Sequence, residues 1–148
     1  MTTTSLPEQV WLPRSISEPT DAHRLLGAEL EPCGHAMILH AQGRIDGYTS
    51  ARWQHILDSA LIATSADGGG YLIVDTTDID FLSLRAILAI IEHCEQGCRR
   101  RIAISVVDPR PRSIIARILT LTGLTSWLPV FADQFDALVA ASATNPRP

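Results

Sequence analysis

The sequence predicts a single α/β domain with a mixed, mostly parallel sheet, an N-terminal antiparallel hairpin and about four helices. Three observations carry that expectation. Strand-length apolar runs alternate with segments of helical apolar spacing across the chain. The run at 71–74 is continuously apolar, as a strand covered on both faces should be. The first two strand-like runs are joined by a short link with Pro and Gly, which suits a hairpin and is too short for a crossover. The resulting order is β-β-α-β-α-β-α-β-α.

Taken in order, residues 1–20 are rich in Thr, Ser, Pro and Glu and read as a tail. The apolar island around Trp11 reads as a surface anchor, or as a docking segment. The domain proper is expected over 21–141. Residues 25–30 form a first strand, Pro32-Cys33-Gly34-His35 a turn, and 36–41 a second strand. A loop follows at 43–47. Trp53, Ile56, Leu57, Ala60 and Leu61 recur at i, i+3, i+4, i+7 and i+8, which predicts a helix capped by Thr49 or Ser50. Asp67-Gly68-Gly69-Gly70 ends that unit. The strand at 71–74 is followed by a polar loop and a helix with Leu84, Ile87, Leu88 and Ile91 on one stripe, stopped at Gly97. Residues 102–107 are the next strand, and Pro109 and Pro111 mark its turn. A third helix carries Ile114, Ile115, Ile118, Leu119 and Leu121 and stops at Gly123. Residues 127–131 make a short last strand. Asp133 caps a final helix with Phe135, Leu138 and Val139, and 142–148 read as a second tail.

Composition narrows the function. The chain has 148 residues, 46% hydrophobic and 19% charged, with a formal net charge of −4. That suits a domain with a real core and argues against direct nucleic-acid binding, which favours a basic face. No apolar run approaches the roughly 20 residues of a membrane span, and the N-terminus lacks the charged and apolar regions of a signal peptide. The expected location is cytoplasmic, so Cys33, Cys94 and Cys98 are expected as free thiols.

Few residues suggest chemistry. The glycine run at 68–70 precedes a strand, whereas a phosphate loop follows one and opens a helix. His93, Cys94 and Cys98 match neither a redox pair nor a usual zinc spacing. His40 and His55 read as structural or surface residues. Asp75, Asp78 and Asp80 surround the end of the third strand, where open α/β sheets form sites. Three carboxylates there can hold magnesium, or be solvated loop residues. The sequence has no lysine, which excludes a phospho-receiver and most P-loop readings. Arg99-Arg100-Arg101 complements a helix C-terminus. No nucleophile–His–Asp set or acid/base pair can be proposed, so neither an enzyme nor a metal or cofactor is expected.

Three segments resemble the STAS domain family, and within it the anti-sigma-factor antagonists. Gly43-Arg44-Ile45-Asp46 with Thr49 resembles the family's G-x-hydrophobic-D-x-x-T/S loop. Ile73-Val74-Asp75 through Phe81-Leu82-Ser83 is similar to its strand–loop–helix signature. Leu119-Thr120-Leu121-Thr122-Gly123-Leu124 with Trp127-Leu128-Pro129-Val130-Phe131 is similar to its closing segment. The similarity spans about 25–139.

The resemblance implies a single STAS-like domain that binds an anti-sigma factor of the GHKL serine-kinase type and so controls sigma-dependent transcription. It also admits a homodimer. In the family, the kinase phosphorylates a serine at the start of the second main helix. Aligned on Phe81, the family's D-S-S-G falls on Ser83-Leu84-Arg85-Ala86, so the acceptor position is Arg85. Ser83 keeps a helix-capping type and is the alternative acceptor. Arginine cannot carry that phosphate, and its charge needs a partner among Asp46, Asp78 and Asp80. The implied partner-binding residues are Asp46, Thr49, Asp80, Ser83, Leu84 and Arg85, working without the usual phosphoserine switch. The alternatives are a STAS scaffold of a stressosome-like or lipid-transport assembly, and a nucleotide or small-molecule sensor.

Overall fold

The computed structural model describes residues 22–67 and 69–143; the expected tail at 1–20, with Trp11, and Gly68 lie outside these. The element order is α1 (Ala22–Leu25), β1 (Leu26–Cys33), β2 (Ala36–Ile45), α2 (Ser50–Ala66), β3 (Tyr71–Leu82), α3 (Leu84–Arg99), β4 (Ala103–Val107), α4 (Ile114–Thr122), β5 (Val130–Phe131) and α5 (Gln134–Ala143). The five strands lie in chain order, β1-β2-β3-β4-β5. β1 pairs antiparallel with β2, and every other neighbouring pair is parallel. The predicted α/β class, hairpin and four main helices are therefore present; the four-residue α1 was not expected.

Alternation along the strands builds two cores. Met37, Leu39 and Ala41 of β2 and Leu72 and Val74 of β3 face α2 and α3. They join Trp53, Ile56, Leu57 and Ala60 in the main cluster. Ala36, Ile38, Ile73 and Val107 point the other way and pack on Ala137 and Ala141 of α5.

Several boundaries differ from expectation. The segments read as loops at 43–47 and 75–81 are largely strand: β2 runs to Ile45 and β3 to Leu82, paired through Arg44–Phe81 and Ile45–Leu82. Two register shifts accommodate the polar residues, one between Gly43 and Arg44. Gly43 has φ 114, and a Cβ there would lie 2.0 Å from the Leu25 carbonyl oxygen, so glycine is required. Pro32 and Cys33 belong to β1, leaving Gly34 and His35 as the turn. The last strand keeps only Val130 and Phe131, and α5 runs through Ser142 and Ala143, past the expected end at 141.

Gly97 does not stop α3, which continues to Arg99. A Cβ on Gly97 would sit 2.8 Å from the Ile102 carbonyl oxygen, so this glycine permits the close return of the chain into β4. The buried face of α3 is Ala86, Ile87, Ala89, Ile90, His93, Cys94 and Gly97. Of the expected stripe only Ile87 is fully buried; Leu84 and Leu88 face outward. In α4 the buried residues are Ile115 and Leu119, with Ile114 and Leu121 exposed. In α5 Phe135 and Val139 are exposed, and the small Ala137 and Ala141 face the sheet.

Candidate functional site

The carboxyl ends of β2 and β3 bring two turns together. Their closest link is a backbone hydrogen bond from Ser83 N–H to the Ile45 carbonyl, 3.0 Å. It places the turn at 46–49 beside the start of α3.

The 46–49 turn is organised by Asp46. Its Oδ1 accepts from Tyr48 N–H at 2.9 Å and Thr49 N–H at 3.2 Å. Its Oδ2 accepts from Arg44 Nε at 2.8 Å. Partial burial pushes the Asp46 carboxyl upward, but the N–H groups of Thr49 and Tyr48 and the Arg44 guanidinium outweigh it. The group is held below its ordinary 3.8. The Arg44 guanidinium also lies 5.9 Å from the centre of the Phe81 ring, a cation–π contact that joins the two turns.

Thr49 departs from expectation twice. It occupies the N-cap position of α2, yet its side chain makes no bond to a helix N–H. Its hydroxyl instead donates to the Arg44 carbonyl at 2.8 Å and accepts from Asp46 N–H at 3.0 Å. It is fully buried, so it shapes the turn from inside and offers no surface to a partner.

At the other turn, Ser83 caps α3: its Oγ accepts from Ala86 N–H at 3.1 Å. Leu84 and Arg85 follow on the first turn, both exposed. Asp46 pairs with Arg44 and not with Arg85. Among the described residues, Arg85, Asp78 and Asp80 enter no ion pair, so the expected neutralisation of Arg85 is not found. Exposure explains it: in water, a charge needs no fixed counter-ion.

A line of apolar side chains runs across this junction. Phe81 is 50% exposed, Leu84 57% and Leu88 42%, and Tyr48 in the adjoining turn is 46% exposed. Leu84 and Leu88 are one helical turn apart and so share a face. Leu88, Tyr48 and Phe81 were not among the expected site residues. For Leu88 the signal was a second apolar row on α3 that the core does not use.

The three carboxylates of β3 do not converge. Asp75 is buried on the α5 side of the sheet, where it accepts from Thr77 N–H at 3.0 Å and Gln134 Nε2 at 2.6 Å. Its Oδ2 lies 3.4 Å from His40 Nδ1, and His40 Nε2 lies 2.7 Å from Glu31. Asp78 and Asp80 are exposed at the far end of the strand. Among the described residues, no group of three His, Cys, Asp or Glu side chains could hold a metal ion, and no helix is long and apolar enough to cross a membrane.

Arg110 supports the junction from behind, a role the sequence did not suggest. Its guanidinium binds Asp108 at 2.8 Å, the Thr76 carbonyl at 3.3 Å, and the Ile79 carbonyl. These bonds hold the extended end of β3. His93 is a buried link between helices: Nε2 lies 2.7 Å from Asp58 on α2, and Nδ1 lies 2.7 Å from the Ala89 carbonyl. Cys33, Cys94 and Cys98 are free thiols.

Comparison with known proteins agrees with this fold. The STAS domain family matches residues 28–137. A candidate anti-anti-sigma factor of Mycobacterium tuberculosis, Rv2638, is 33% identical over 135 residues, covering 91% of this chain and 88% of that protein. The anti-sigma-F factor antagonist RsfA of the same species is 32% identical over 121 residues, covering 82% and 91%. The crystal structure of an anti-sigma factor antagonist from Mycobacterium paratuberculosis superposes with a TM-score of 0.60 at 22% identity, covering 84% of this chain and 98% of that one. With the sheet order, the paired turns and these matches together, the chain belongs to the STAS domain family.

Proposed function

We propose that this protein is a cytoplasmic, non-enzymatic anti-sigma factor antagonist that binds its anti-sigma factor through the β2–α2 and β3–α3 turns. The observation that carries the proposal is the exposed row Phe81, Leu84 and Leu88 beside Arg85, with Tyr48 in the adjoining turn. Burying the remaining half of each such side chain is worth about 1 kcal/mol, and charge around the row supplies orientation. Asp46, Asp80, Ser83, Leu84 and Arg85 are the contact residues, while buried Thr49 sets the turn. The curated relatives named as anti-sigma antagonists support the same reading. The partner is of the GHKL serine-kinase type.

The exchange works without phosphorylation at position 85. Phosphoserine would bring about −1.5 to −2 charges to the first turn of α3; Arg85 has no hydroxyl and carries the opposite sign. Ser83 Oγ is engaged as the helix cap.

Capture from native extract on the full chain should recover an anti-sigma factor. Leu84→Glu should weaken that complex at least about 30-fold, and Arg85→Glu should weaken it too, both with unchanged Tm because the side chains are exposed. Unchanged affinity in both variants places the interface elsewhere. Capture of transporter subunits, or only of a second copy of the chain, refutes the reading. After incubation with the captured kinase and ATP, mass spectrometry should find residues 83–86 unmodified; phosphate on Ser83 would overturn the loss of the switch.

A further inference from the structure

At the opposite end of the sheet, where β3 and β4 begin, lies a cavity of about 740 Å³. That size suits a small-molecule site. Its walls are mostly apolar, with Tyr71, Ile104, Cys94, Cys98 and Trp127 among them, and Arg101 is also a lining residue. Trp127 is half exposed. Burial, and more weakly the neighbouring Cys98, push the Cys94 thiol up to about 12, so Cys94 presents an uncharged thiol at neutral pH.

Arg101 is the unusual residue. It is the one non-glycine residue with positive φ, 61°, among the described residues. It follows the C-cap of α3, where chains commonly place glycine. Backbone N–H groups already meet two of the last carbonyls of α3. The Gly97 carbonyl accepts from Arg100 N–H at 2.9 Å and Ile102 N–H at 2.7 Å, and the Cys98 carbonyl accepts from Arg101 N–H at 3.1 Å. Among the described residues, the Arg101 guanidinium enters no ion pair, whereas nearby Arg99 pairs with Glu95. A left-handed arginine costs about 1–2 kcal/mol relative to glycine. Strain of this kind is kept where a side chain has a use, and here the strained residue lines an apolar cavity.

We propose that the cavity binds a small amphipathic anion: an apolar chain or ring carrying one carboxylate or phosphate. The apolar body packs on Ile104, Cys94 and Trp127, and the anion meets Arg101. Arginine suits both anions because its planar fork can donate two parallel hydrogen bonds. A neutral ligand would leave that cation unused.

Decanoate and decyl phosphate, titrated into the full-length protein by calorimetry with tryptophan fluorescence followed in parallel, test this. At least one should bind one-to-one with a dissociation constant below about 1 mM, and the tighter arm identifies the headgroup. Decanol should bind at least about tenfold more weakly than that anion, the share of one charged hydrogen-bond pair. Arg101→Gly should lose the same factor while its Tm stays level or rises, because glycine relieves the backbone. Ala103→Trp should fill the cavity and abolish binding. Leu84→Glu, at the far end of the sheet, should leave binding unchanged, which separates this site from the proposed partner interface. No saturable binding of either anion, equal binding of decanol, wild-type affinity in Arg101→Gly, or a lowered Tm in that variant would overturn the proposal.

Discussion

Asp46 holds the 46–49 turn with one carboxylate oxygen and Arg44 with the other. Its folded-state pKa lies below 3.8, so its charge stabilises the fold fully above that value and the contribution is lost as pH falls through the folded value. Asp46→Asn keeps an acceptor for the two N–H groups and removes the charge. We expect the variant to be less stable than wild type by about 0.5–1 kcal/mol at pH 7, as for a part-exposed ion pair. The two urea midpoints should converge as pH drops below 3.8; a gap that stays constant to the acid limit would count against it. The family resemblance already singled out Asp46, and Ser83 together with its capping type. It did not reveal that Thr49 turns inward, because a threonine beside a helix start can bond either way. Nor could it supply Arg110, whose carbonyl partners lie more than thirty residues back in the chain and meet it only once β3 and β4 are side by side.

Helix α3 shows why an apolar stripe was misassigned. It carries two apolar rows: Leu84 with Leu88, and Ile87 with Ile90 and Cys94. Helical spacing suggested Leu84 and Leu88, with Ile87 and Ile91, for the core. The fold instead buries the row flanked by Ala86, Ala89 and Gly97, since small residues let α3 approach its neighbours closely. Gly97→Ala tests this. Alanine raises helix propensity by about 1 kcal/mol over glycine, but its Cβ would press on the Ile102 carbonyl oxygen at 2.8 Å. We expect overpacking to win, with net destabilisation of about 1–2 kcal/mol and a Tm lower by about 3–8 °C. A raised Tm would show that the approach has slack. Strand β3 failed differently: Asp75-Thr76-Thr77-Asp78 looks like a loop by composition. It stays extended because the Thr76 hydroxyl donates to the Val107 carbonyl at 2.8 Å, Ile79 is buried and Arg110 binds two of its carbonyls.

Across the whole molecule the two sheet faces are unequally covered. One carries α2 and α3 with Trp53, Ile56, Leu57, Ile87 and Ile90 inside. The other carries α5, whose fully buried side chains are two alanines. Less apolar area means less local stability. Hydrogen exchange should therefore find the α5 amides opening fastest among α2, α3 and α5, and central β3 slowest; equal protection in α5 and α2 would contradict it. The alternation of strands and helices was legible because it depends on local periodicity. Which face α5 would take, and how little it would bury, was not, because Phe135 and Val139 looked like core residues and remain in water.

The sheet order leaves β1 on an open flank, paired among the described residues only with β2. An eight-residue rim strand is a template for unwanted growth by neighbouring chains. Several features blunt it here. Pro32 has no N–H to offer, Glu29 and Glu31 add like charges to an incoming copy, and the Arg52 side chain takes the Leu26 carbonyl at 2.5 Å. The rim at the other side is only two residues long. Concentrated protein should thus resist fibrillar stacking, a colloidal property set by the border of the sheet and independent of either binding surface.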